Sequence, residues 1–164
     1  MALPVVVAQE SIADELVAYI KKFAQELKLG PAYEEGSTLG PVVTAEHKQS
    51  VINWINKGIE EGATVVLDGR DAVVEGYEKG FYVGPTILDN VTDEMTVGTQ
   101  EIFGPVLCIK RVKNFEEGLA LMNRNPFANG SVIFTQSGYY ARDKINFSSF
   151  PYIIDDNHIN LGFF

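Results

Sequence analysis

Gln100-Glu101-Ile102-Phe103-Gly104-Pro105-Val106-Leu107-Cys108-Ile109 decides how the chain is read. The second half, Val106 to Ile109, is apolar, rich in β-branched residues and preceded by a Gly-Pro turn, which is the pattern of a buried strand. The first half places an acid and an aromatic just before that strand. In an α/β domain such a segment can present one carboxylate and one ring to a ligand. A carboxylate has two oxygens and accepts from both hydroxyls of a ribose. A phenyl face packs on a flat heteroaromatic ring. The alternative is that Phe103 is a core residue and Glu101 a solvated turn charge, since aromatics are commonly buried. Spacing alone leaves both open.

Outward from this stretch, strands and helices alternate. Residues 3–8 read as a buried strand. Ser11 is placed as the N-cap of a helix over 11–28, with Ile12, Leu16, Tyr19, Ile20, Phe23 and Leu27 at helical spacing. Gly30-Pro31 stops it. Thr44 caps a second helix to about residue 61, with Val51, Trp54, Ile55 and Ile59 on its apolar face. Residues 63–67 form a short strand, and 70–80 a surface connection. Phe81 to Leu88 is expected as a strand with a kink at Gly84-Pro85. Residues 89–104 are a long connection, and long irregular segments in compact domains are commonly functional. Pro105 to Val112 is strand, and Asn114 caps the next helix. Ser131 to Thr135 is strand, 138–147 helix, and Ile153-Ile154 and Ile159-Asn160-Leu161 are closing strands. The expected fold class is α/β, one domain over 1–164, with a mostly parallel sheet flanked by helices.

Composition narrows the function. At 164 residues the chain is long enough for a substantial core. Its formal net charge of −9 opposes nonspecific binding to nucleic acid or to an anionic membrane, which need a basic surface. No apolar stretch has the length of a membrane span. The apolar run Ala2 to Ala8 lacks a preceding basic segment and ends at Gln9-Glu10, so it reads as a strand, not a secretion signal. A single cysteine fits a reducing, cytoplasmic location, or the mitochondrial matrix in a eukaryote. His47 and His158 are isolated, and no metal-ligand cluster is visible. His47 reads as a solvated helix residue and Trp54 as a core or subunit contact. Glu34-Glu35, Glu60-Glu61 and Glu116-Glu117 read as solvated faces, because adjacent helical residues do not face each other.

Glu101-Ile102-Phe103-Gly104-Pro105 resembles the E-x-F-G-P motif of the aldehyde dehydrogenase superfamily. Phe81-Tyr82-Val83-Gly84-Pro85-Thr86-Ile87 and Gly40-Pro41-Val42 resemble further family segments. Val65-Val66-Leu67-Asp68-Gly69-Arg70, Val74-Glu75-Gly76-Tyr77-Glu78, Glu46-His47-Lys48 and Asn129-Gly130 resemble the methylmalonate/malonate-semialdehyde branch. Together they cover roughly residues 1 to 145. The resemblance implies the catalytic-domain core of such an enzyme. Glu101 would bind the nicotinamide ribose of NAD, and Phe103 would pack near the nicotinamide. In the parent reaction a cysteine thiolate attacks the semialdehyde, hydride passes to NAD, and coenzyme A takes the acyl group with loss of carbon dioxide.

The same resemblance places the family's nucleophilic cysteine just before a Met-Ala-Leu segment, and this chain opens Met1-Ala2-Leu3. Nucleophile, oxyanion donor and dinucleotide-binding domain would then lie outside it. Cys108 sits in an apolar strand, where burial makes a thiol inert. The chain is therefore expected to be inactive alone, with no catalytic residue of its own. The alternative is a non-catalytic assembly module of the same fold, a reading that also allows a homo-oligomer. Beyond about Arg142 the family pattern weakens, and Phe150, Phe163 and Phe164 are expected to promote self-association.

Overall fold

The computed structural model describes residues 4–125, 130–147 and 152–155. Met1-Ala2-Leu3, Asn129, Phe150, His158 to Leu161, Phe163 and Phe164 lie outside them. In chain order the elements are β1 (Val5–Gln9), α1 (Glu10–Gln25), α2 (Ala45–Glu60), β2 (Thr64–Leu67), β3 (Thr86–Asp89), a 3₁₀ turn (Thr96–Gly98), β4 (Val106–Val112), α3 (Phe115–Arg124), β5 (Ser131–Phe134), α4 (Gly138–Phe147) and β6 (Tyr152–Asp155).

A four-stranded sheet runs β1-β4-β3-β2. β1 and β3 both lie parallel to β4, and β2 closes the far edge antiparallel to β3. The α/β, mostly parallel architecture is thus the one observed. One difference is that β5 and β6 pair with each other in parallel as a separate two-stranded sheet. β4 explains why the sheet is central. Its alternate side chains enter two cores: Val106 and Cys108 join Val51 and Ile55 of α2, while Leu107 and Ile109 join Ala13, Val17 and Ile20 of α1. A strand covered on both faces reads as a continuous apolar run. Burying one such aliphatic side chain contributes about 1.5–3 kcal/mol.

Local chemistry sets the element ends. Thr44 and Asn114 cap α2 and α3 by accepting from the backbone N–H of His47 and Glu117. Such a cap is typically worth about 1 kcal/mol. Ser11 does not cap α1: β1 runs straight into the helix, and Gln9 holds the N-cap position without a side-chain bond to the helix. α1 also stops at Gln25, because the Lys28 carbonyl accepts from Thr38 and Leu39 N–H and so leaves the helical path. The expected strand over 81–88 shrinks to Thr86–Asp89. Its first half is diverted at Gly84, whose N–H donates to Gly69 O at 2.8 Å. A Cβ on Gly69 would lie 2.0 Å from Gly84 O, so the approach requires glycine there.

Two ion clusters fasten β4 to its surroundings. Arg111 donates to Asp89 on β3 and to Asp14 on α1, both at 2.7 Å. Lys110, only 5% exposed, pairs with Asp93 at 2.5 Å, and Asp93 also pairs with Arg124 of α3 at 2.7 Å. The hydrogen bond from Lys110, then that from Arg124, holds the Asp93 carboxyl below the usual carboxylate range. A lowered folded-state pKa means that this stabilisation is complete above about pH 4 and is lost as pH falls through the folded value. The urea midpoints of wild type and Asp93→Asn are therefore expected to differ at neutral pH and to converge below about pH 4. A constant difference across that range would contradict this ion cluster.

Candidate functional site

The connection from β3 to β4 carries both proposed cofactor residues, and it is built as a rigid support. Thr96 donates through its N–H and its hydroxyl to the Glu61 carboxylate at the end of α2. Glu61 is thus a structural acceptor and not only a solvated charge. Its pKa is lowered chiefly by the Thr96 hydroxyl bond. Val97 is buried and its carbonyl accepts from the Cys108 thiol at 3.5 Å. The chain then reaches Glu101, which is exposed, Ile102, buried in the α2-side core, and Phe103, 74% exposed. The core alternative for Phe103 is therefore excluded in this chain: Ile102 takes the buried position.

The next residues explain the fixed turn. Gly104 lies against α2, and a Cβ there would come within 2.7 Å of Val51 Cγ2. Four consecutive carbonyls are engaged. Ile102 O accepts from Gly104 N–H, Gly104 O from Val106 N–H and Pro105 O from Thr86 N–H, at 2.8 to 2.9 Å. Phe103 O meets His47 Nε2 at 2.5 Å. His47 is therefore not simply solvated. It occupies the third position of α2, where helical side chains lean back toward the N-terminus and past the cap. Its partner is 56 residues away, so no local pattern signals it.

Cys108 is 2% exposed, and burial pushes its thiol up to about 11, against a small opposing effect from Lys110. A cleft of about 250 Å³ lies between α3 and β4, lined by Asp93, Lys110, Arg111, Glu117, Leu121 and Arg124. A groove of about 370 Å³ follows α2 past Ser50, Asn53, Trp54, Lys57 and Thr96. Glu101 and Phe103 line neither. Among the described residues no group of three or more His, Cys, Asp or Glu could hold a metal ion. No described helix is long and apolar enough to cross a membrane.

The sequence profile of the aldehyde dehydrogenase family matches residues 1–147. This chain belongs to the aldehyde dehydrogenase family. It is 47% identical over 149 residues to malonate-semialdehyde dehydrogenase 1 of Shouchella clausii, covering 89% of this chain and 30% of that protein. Among solved structures, a chain of Sinorhizobium meliloti 1021 assigned as methylmalonate-semialdehyde dehydrogenase and complexed with NAD superposes with a TM-score of 0.84 at 40% identity. The methylmalonate-semialdehyde dehydrogenase of Oceanimonas doudoroffii gives 0.83 at 42%. Both superpositions cover 87% of this chain and 29% of the other. The aldehyde dehydrogenase chain described here thus spans about a third of the length of these relatives.

Glu101 and Phe103 are the exposed members of the turn in this aldehyde dehydrogenase chain. They offer an acceptor for paired hydroxyls and an uncovered ring. The structure brings them together on one support and adds His47 beneath it. It places Cys108 in the α2-side core together with Ile102.

Proposed function

We propose that the chain is one domain of an NAD-dependent, CoA-acylating semialdehyde dehydrogenase acting on malonate or methylmalonate semialdehyde. Its part is to hold the nicotinamide end of the cofactor. NAD, when bound, supplies the hydride acceptor. The Glu101 carboxylate accepts from the ribose hydroxyls and orients the sugar. The Phe103 ring packs near the nicotinamide and keeps water from that side. The chain has no thiol in a reactive setting, so it is read as inactive by itself.

One observation carries this reading: an exposed acid and an exposed ring flank the buried Ile102 on a turn whose carbonyls from Ile102 to Pro105 are all engaged. An exposed phenyl on so fixed a support is a surface prepared for a flat partner. Calorimetric titration with NAD tests it. Glu101→Ala is expected to weaken binding about tenfold to a hundredfold, since hydrogen bonds to a charged acceptor contribute about 1.5–3 kcal/mol. Equal affinities in the two proteins would remove Glu101 from the site.

The assembly-module reading has one observation in its favour. Ile12, Tyr19 and Phe23 of α1 are exposed at helical spacing, beside the face that packs on the sheet. Heat on NAD addition favours the cofactor reading. A self-associating chain that gives none favours the module.

A further inference from the structure

We propose that His47 is the positioning residue of the Glu101–Phe103 turn, a role that deepens the cofactor reading and rests on it for its consequence. Between Ile102 and Pro105 four carbonyls in succession accept hydrogen bonds. Three of the donors are backbone N–H groups, which no side-chain substitution removes. The fourth is the imidazole of His47, at 2.5 Å from Phe103 O. This bond therefore ties the carbonyl of the residue that presents the ring to the first turn of α2. The backbone of His47 is anchored in that first turn, because its main-chain N–H donates to Thr44 Oγ1 at 3.1 Å. The cap thus fixes the residue from which the imidazole reaches the turn.

The geometry dictates the chemistry of the ring. A carbonyl oxygen only accepts, so Nε2 must carry a hydrogen for the contact to be attractive. The neutral imidazole must then be the Nε2–H tautomer, since a bare Nε2 would set two lone pairs against each other. The other supports of the turn are the three backbone hydrogen bonds and two packing contacts. Ile102 is seated in the core and Gly104 abuts Val51. These fix where the turn lies, while the Phe103–Gly104 peptide is held at both ends, its N–H by Ile102 O and its carbonyl by His47, the one side-chain bond of the set. The requirement is a donor at that reach, so glutamine should substitute and alanine should not.

The test uses the 164-residue chain with His47→Ala and His47→Gln. Without ligand, long-range proton–nitrogen correlation on wild type should show a protonated Nε2 in the neutral ring. Amide exchange at Gly104 and Val106 should be about tenfold faster in His47→Ala and close to wild type in His47→Gln. With NAD, His47→Ala should bind about five- to tenfold more weakly and His47→Gln within about twofold of wild type, as the loss of one hydrogen bond predicts. The urea midpoint should move little, which separates positioning from a general loss of fold. A neutral ring protonated on Nδ1, or turn exchange unchanged in His47→Ala, overturns the proposal. If wild type fails to bind NAD, the cofactor reading falls, while the tautomer and exchange measurements still decide the role of His47. If His47→Ala does not fold, the tautomer in wild type and the exchange and affinity of His47→Gln decide it.

Discussion

Mixed with malonate semialdehyde, NAD and coenzyme A, the purified chain is expected to form no NADH. The chain has one thiol, Cys108, and its surroundings disqualify it as a nucleophile. It lies in the central strand, 2% exposed, with a pKa raised to about 11 by burial. Only the thiolate attacks a carbonyl, and at pH 7 roughly one molecule in ten thousand carries it. Even those few are screened from substrate by α2 and the turn. Loss of a covalent nucleophile costs about 10⁶ in turnover, or ~8 kcal/mol of barrier. The control is Cys108→Ser, which should match wild type at the detection limit. An aromatic disulfide reagent should leave the thiol untouched in the native chain and react at once in urea. Turnover that rises with pH and disappears in Cys108→Ser would overturn the inactive-chain reading.

Ile109→Ala is expected to destabilise the fold by about 3–4 kcal/mol, within the range for deleting a buried aliphatic side chain. Ile109 is fully buried at the middle of β4 and belongs to the core facing α1. That core includes Ala8, Ala13 and Ala24. Alanine has no rotamers with which to fill a neighbouring void, so the cavity would persist and its walls would lose contacts outright. Ile109→Val, which removes one methyl, should cost about 1 kcal/mol. Urea unfolding followed by circular dichroism measures both, with unchanged slopes as the check on two-state behaviour. A loss below about 1 kcal/mol for the alanine variant would mean that α1 does not pack on β4 as described.

What could be read in advance divides along the distance over which each interaction acts. Thr44 and Asn114 were legible as caps because a cap bonds within three residues of itself. The run from Val106 to Ile109 was legible because burial on both faces leaves no polar alternation. Ser11 misled for the converse reason: it has the right chemistry for a cap, but β1 enters α1 without a loop and gives it no such position. The strand expected from Phe81 was cut short by Gly69, 15 residues upstream of Gly84 and unmarked by any periodicity. Glu101 could be singled out by type and place, whereas the exposure of Phe103 depends on Ile102 filling the core in its stead. His47 and Phe103 O meet only once α2 and β4 have packed. The pairing of Lys110 with Asp93 is equally tertiary, since neither residue breaks the strand and loop patterns that contain it.

The sheet order also fixes a schedule for the chain's own formation. β1 is made well before its only ladder partner among the described strands, β4, where Val5 pairs with Cys108 about a hundred residues later. At roughly 5–20 residues per second of synthesis, β1 waits on the order of 5–20 seconds for that partner. The pairing then closes a long loop before any contact between them rewards it, which is the arrangement that slows folding. α1 and α2 can form meanwhile, but neither can bury its apolar face until β3 and β4 arrive. Until then Val5, Val6 and Val7 lack their β4 partners, and that interval is where chaperone engagement or aggregation would compete with this pairing.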